Sequence, residues 1–182
     1  MKRFYNICII ILAISLPWVA SAQTDNKHTT GTVVNEWADS PISWEITAWE
    51  CDEEGVYDIM FNATIEDGYH GYAMNDFSAP YFDFDAEISL IGPMVEPLTP
   101  TEDITEYGDI SLIYYHNAIY VQRIQAKPGQ TVTGFIQATI CTNNTQQCTS
   151  NPATFTIEIP ESKVTPTTII GSIISEFDAW IR

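Results

Sequence analysis

Positive charge is scarce in this 182-residue chain. Seven lysines and arginines stand against 24 aspartates and glutamates, a formal net charge of −17. A surface this acidic repels nucleic acid and anionic lipid, so neither is expected as a direct partner. The excess reads first as a solubility device and second as steering toward a basic patch on a partner. Metal-ligand spacing is also missing. No C-x2-C pair is present, and Cys51, His28, His70 and His116 are too scattered to complete a zinc site with Cys141 and Cys148. The acidic pairs Asp83/Asp85 and Glu102/Asp103 lack the glycine-punctuated loop that calcium requires. No Gly-x-Ser-x-Gly elbow marks a hydrolase, and carboxylates are so plentiful that no pair of them stands out as catalytic. No metal and no cofactor is expected.

What the sequence does have begins at its N-terminus. The opening "MKRFYNICIIILAISLPWVASAQ" places Lys2 and Arg3 ahead of an apolar run and ends it in Ala20-Ser21-Ala22. That order is a secretory signal peptide over residues 1–22, with cleavage near Ala22. The run is short for a spanning helix. Cleavage would remove Cys8, Lys2 and Arg3 and leave 5 basic residues against 24 acidic, a formal charge of −19. The expected location is therefore periplasmic or secreted.

Past the signal, residues 23–40 read as a polar, flexible lead-in. The body of the chain, 41–162, is dominated by a period of two. Tyr57, Ile59, Phe61, Ala63 and Ile65 alternate with polar residues, as do Ala153, Phe155, Ile157 and Ile159. Val132, Ile136, Ala138 and Ile140 give a third apolar face. Such alternation marks strands buried on one face. Further strands are expected over 42–50, 85–91 and 113–126. Turns are expected at Asp52-Glu53-Glu54-Gly55, Glu66-Asp67-Gly68 and Lys127-Pro128-Gly129. Many short strands with frequent turns and no internal repeat predict an all-β, antiparallel sandwich. One helical pattern remains, over 163–182. Thr165 and Pro166 suit its first positions, and Ile170, Ile173, Ile174 and Phe177 fall on one face, with Trp180 and Ile181 beyond. A short C-terminal amphipathic helix is expected there.

Export permits disulfides. The mature chain keeps three cysteines, so one is left over. Cys141 and Cys148 are the couple close in sequence, and Cys51 is the spare. C-x6-C across a strand-turn-strand brings two Cα atoms within bridging distance. So small a ring restrains the unfolded chain by only about 2.5 kcal/mol in the loop-entropy picture. Spacing alone leaves a structural staple and an exchangeable bond both open.

Three segments, in this order, carry a family resemblance: "EDGYHGYAM" (66–74), "EYGDISLIYYHNAIYVQRI" (106–124) and "TICTNNTQQCTSNPATFTIEI" (139–159). Over residues 44–159 the chain resembles the periplasmic N-terminal domain of DsbD, the transmembrane thiol:disulfide interchange protein. The resemblance implies an immunoglobulin-like sandwich that relays reducing equivalents between thioredoxin-like partners, or from a membrane electron carrier in trans. It touches the membrane only through such a partner. It further implies that Cys148 is the sulfur that forms mixed disulfides and Cys141 the one that resolves them. Tyr107 and Gly108 would belong to a cap over the bond, Glu106 or Asp109 would supply negative charge, and Tyr69, His70 and Tyr72 would line the site. The chain departs from the family pattern in a longer loop between the cysteines, in Ser150-Asn151-Pro152 where a Pro-Pro pair is usual, and in Tyr107 where a Phe-like shield is usual. Two other classes compete with this reading. One is a non-catalytic binding or adhesion sandwich whose disulfide is structural. The other is an assembly factor that binds extended peptides along a sheet edge.

Overall fold

The computed structural model describes residues 28–104, 108–145 and 147–161. The expected signal peptide and C-terminal helix lie outside the described residues, as do Glu106 and Tyr107 of the expected cap. The described chain forms twelve strands: β1 His28–Thr30, β2 Thr32–Asn35, β3 Ile42–Glu50, β4 Val56–Ile65, β5 Tyr69–Tyr72, β6 Tyr81–Phe84, β7 Ser89–Leu90, β8 Thr101–Ile104, β9 Ile110–Tyr114, β10 Asn117–Gln125, β11 Thr131–Thr142 and β12 Cys148–Glu158. One sheet runs β1-β3-β4-β10-β7. The other runs β2-β12-β11-β5-β9-β8, with β6 also on β11. Every pairing is antiparallel. The result is an all-β, immunoglobulin-like sandwich.

The period-two pattern explains the core. Tyr57, Ile59, Phe61, Ala63 and Ile65 of β4 are all buried, as are Val132, Ile136, Ala138 and Ile140 of β11 and Ala153, Phe155, Ile157 and Ile159 at the end of the chain. Burying one such large side chain stabilises by about 1.5–3 kcal/mol. At the centre, Phe61 meets Phe155 edge-on with ring centroids 5.1 Å apart, and Phe82 sits 5.0 Å from Phe61 and 5.3 Å from Tyr120. These tilted and edge-on contacts are the favourable geometries for aromatic pairs. The three expected turns lie where the sequence puts them, between β3 and β4, β4 and β5, and β10 and β11.

Three expectations are corrected. Part of the presumed lead-in at 23–40 is not a lead-in. His28–Thr30 pairs with β3 in the first sheet, and Thr32–Asn35 pairs with β12 in the second. The chain changes sheet at Gly31. A Cβ there would lie 2.6 Å from the Thr156 carbonyl oxygen, 2.7 Å from Ile46 Cγ2 and 2.8 Å from Ile157 Cβ, so only glycine fits the crossing. The strand expected over 85–91 is reduced to Ser89–Leu90. The Asp85 carboxylate accepts the Glu87 N–H and its carbonyl accepts the Ile88 N–H, which turns the chain instead of extending it. The single strand expected over 113–126 is two. β9 ends at Tyr114 in one sheet and β10 begins at Asn117 in the other, and the His116 carbonyl accepts the Ile65 N–H at the bend.

Candidate functional site

The long hairpin of β11 and β12 is paired in continuous register from Thr131↔Glu158 to Cys141↔Cys148. The two cysteines are thus directly opposite one another at the loop end, with Cα atoms 4.0 Å apart, and their sulfurs are bonded. Cys51 is a free, half-buried thiol just past the end of β3 in the first sheet. The loop between the bonded cysteines is held by side chains. Thr142 Oγ1 and Thr145 Oγ1 share a hydrogen bond of 2.6 Å, the Gln147 N–H donates to Thr142 Oγ1, and the Asn143 N–H donates to the Gly68 carbonyl at 2.8 Å. Gly68, at φ 91°, makes the tight turn that brings β5 alongside.

The two sulfurs occupy different environments. Cys141 is 1% exposed, whereas Cys148 lies on the exposed face of the hairpin end. Beyond Cys141, on the side away from Cys148, β5 adds to the edge with Cys141 opposite His70 and Thr142 opposite Tyr69. Residues two apart on a strand share a face. His70 and Tyr72 therefore lie together, and the structure shows them converging on the buried sulfur. The Tyr72 hydroxyl is 3.1 Å from Cys141 Sγ, and His70 Nε2 is 3.3 Å from the same hydroxyl. On its other side His70 Nδ1 is 2.8 Å from Asn143 Oδ1. The imidazole is nearly buried, and Tyr115 packs edge-on against it at 6.3 Å. The backbone under Tyr72 is fixed by the buried Tyr120 hydroxyl, which donates to the Tyr72 carbonyl at 2.9 Å.

The phenol of Tyr72 is held above its ordinary pKa, first by burial and then by the charges of Asp76 and Asp103. Asp76 is anchored by accepting the Ser78 and Leu112 N–H groups, each at 2.9 Å. Asp103 belongs to β8, opposite Ser111 of β9. That hairpin carries the expected cap. Its last pair, Ile104 opposite Ile110, is exposed, and Gly108 and Asp109 are exposed between the two strands.

The structure brings together five of the residues expected at the site: Cys141, Cys148, Tyr69, His70 and Tyr72. Gly108 and Asp109, expected in a cap over the bond, lie exposed between β8 and β9. Asn143, Tyr115, Tyr120, Asp76 and Asp103 were not expected there. Asn143 was legible only as a loop residue. The other four come from distant strands and turns, where nothing in their local pattern ties them to a cysteine.

No family model and no curated protein matches the chain. Solved structures do. The N-terminal periplasmic domain of ScsB from Proteus mirabilis is similar over 85% of this chain and 57% of that one, at 10% identity and a TM-score of 0.54. The N-terminal domain of Neisseria meningitidis DsbD in its reduced form covers 67% of this chain and 86% of its own, at 16% identity and a TM-score of 0.46. The complex of the DsbD and PilB N-terminal domains from the same organism gives 64%, 84%, 16% and 0.41. At 10% identity the ScsB likeness speaks to the fold, and the chain spans little more than half of that domain.

Proposed function

We propose that this chain is an exported thiol-disulfide exchange domain, relaying reducing equivalents between thioredoxin-like partners through Cys141–Cys148. The observation that carries the reading is the asymmetry of the bond: one sulfur is open to solvent, and the other is buried with a phenol hydroxyl upon it. Exchange needs an attacking thiolate to reach one sulfur and a leaving group at the other. A staple needs neither.

In this reading a partner's thiolate attacks Cys148 Sγ. A mixed disulfide forms there, and the electron pair of the broken S–S bond goes to Cys141. The partner's second thiol then attacks its own sulfur in the mixed disulfide. Two electrons have passed to the domain, and the partner leaves as a disulfide. In the reverse direction, Cys148 attacks and Cys141 resolves. By the family resemblance, Glu106, Tyr107, Gly108 and Asp109 would act as a cap near the bond, and Tyr69 would line the site. Negative charge near a sulfur disfavours its thiolate, so carboxylates of the cap would keep the reduced pair unreactive until a partner docks. The electron donor is a thioredoxin-like thiol protein or a membrane carrier acting in trans.

Trapping tests the assignment. The Cys141→Ser chain, also carrying Cys51→Ala, is mixed with a thioredoxin-like protein whose second active-site cysteine has been replaced and whose first is activated as a thionitrobenzoate disulfide, so that the Cys148 thiolate displaces thionitrobenzoate. A mixed disulfide through Cys148 is expected to accumulate. The Cys148→Ser chain is expected to give none, because Cys141 is buried. Equal adducts from both variants, or none from either, would overturn the assignment.

A further inference from the structure

The chain Asn143–His70–Tyr72–Cys141 has more hydrogen-bonding order than a lining requires. A sulfur in a disulfide carries no proton, so Cys141 Sγ can only accept from the Tyr72 hydroxyl at 3.1 Å. The Asn143 carbonyl oxygen can only accept, so the 2.8 Å contact fixes a proton on His70 Nδ1. The remaining link, His70 Nε2 to the Tyr72 oxygen at 3.3 Å, then has two states. With His70 neutral, Nε2 is bare and competes with the sulfur for the one phenol proton. With His70 protonated, Nε2–H donates to the phenol oxygen, and the hydroxyl proton is free to point at the sulfur. Asn143 thus selects the tautomer, and the charge on His70 decides where Tyr72 aims its proton.

We propose that Tyr72 is a proton donor to Cys141 and that His70, held by Asn143, positions and resupplies it. The proposal rests on the exchange reading above. The step balances as follows. A thiolate forms a bond to Cys148 Sγ, the Cys141–Cys148 bond breaks, and its electron pair stays on Cys141 Sγ. The Tyr72 O–H proton moves to that sulfur, and the His70 Nε2 proton moves to the phenol oxygen. His70 is left neutral and takes a proton back at Nε2 from solvent. In the oxidising direction the same protons return, so Cys141 leaves its proton to Tyr72 as it attacks. A buried sulfur otherwise has to leave as an unsolvated anion, and the relay removes that requirement. Among the described residues, the groups against the relay come from three places. Tyr115 of the β9–β10 bend packs on His70, Cys141 and Asn143 come from β11 and its loop, and Asp76 and Asp103 act on Tyr72.

The test uses dithiothreitol as the dithiol and follows reduction of Cys141–Cys148 in the full chain, with each rate divided by the concentration of attacking thiolate. In the wild type, this normalised rate is expected to fall as pH rises, because the relay needs the protonated imidazole. Tyr72→Phe is expected to slow the reaction at pH 6 by about tenfold or more and to abolish the pH dependence. His70→Gln keeps a neutral N–H toward Tyr72 without a transferable proton. It is expected to retain an intermediate, pH-independent rate, above that of His70→Phe. Intact Cys141–Cys148 bonds and unchanged thermal melts show that the variants are folded. Variants that match the wild type in rate and pH profile would overturn the relay alone. A wild type whose disulfide dithiothreitol fails to reduce would overturn the exchange reading and the relay with it.

Discussion

At the scale of single residues, the three cysteines among the described residues sit in three different environments. Cys51 ends up beside a bidentate pair, in which Arg123 Nε and Nη2 donate to the two Asp58 carboxylate oxygens at 2.8 and 2.9 Å. Burial and then the Asp58 charge push its thiol from 9.0 up to about 12. The thiolate is the reactive form, so this cysteine is inert near neutrality. After reduction, iodoacetamide at pH 8 is expected to label Cys51 at least tenfold more slowly than Cys148, as read by peptide mass spectrometry. Faster labelling of Cys51 would contradict the placement. A raised folded-state pKa also means the folded chain holds this proton more tightly than the unfolded chain. That stabilisation is complete below about pH 9 and is lost as pH rises toward 12. Cys51→Ala is expected to lessen the fall in stability across that window. Much of this was legible beforehand: that Cys51 is the odd thiol follows from counting. Its neighbours do not, because Asp58 and Arg123 are 65 residues apart in sequence and meet only through the β4–β10 register.

At the scale of elements, legibility followed length and one-sided burial. The strand expected over Ile42–Glu50 was found with those bounds, and β4, β11 and β12 have clean alternating faces. Short polar edge strands carry no such signal. In His28–Thr30 and Thr32–Asn35 burial alternates only between exposed and half-buried, too weakly to mark the sequence, so the segment reads as a lead-in. The β9–β10 bend was hidden because apolar residues continue through it, from Ile113 and Tyr114 to Ala118 and Tyr120. Their continuity reflects two strands facing one core from opposite sheets. Gly31, by contrast, carries a sharp prediction. Any side chain there must displace the Thr156 carbonyl, so Gly31→Ala is expected to cost about 1–3 kcal/mol. That corresponds to a fall in Tm of roughly 2–4 °C per kcal/mol for a domain of this size. A melt unchanged within 1 °C or so would show that the N-terminal strands are not docked as described.

For the whole molecule, the sandwich serves to hold a bond at its rim. The β11–β12 hairpin has a rigid core end, packed through Phe155, and a free end that carries the disulfide. One edge of β11 is divided between β6, which covers residues 134–137, and β5, which covers residues 141–142. That division lets β5 bring His70 and Tyr72 to the buried sulfur while the body of β11 stays sealed. A formal net charge of −17 disfavours nucleic acid and anionic surfaces as contacts. The all-β architecture was legible from period and turns. The polarity of the bond was implied only by the family resemblance, because which sulfur is buried depends on which strand lies beyond it.

The central claim is that Cys141–Cys148 is an exchanging bond. Its reduction potential, measured by equilibration against glutathione and dithiothreitol buffers, tests that claim most directly. A value between about −180 and −270 mV, in the range of thioredoxin-like partners, is the result predicted. A value below about −300 mV would mark a structural bridge and contradict the account.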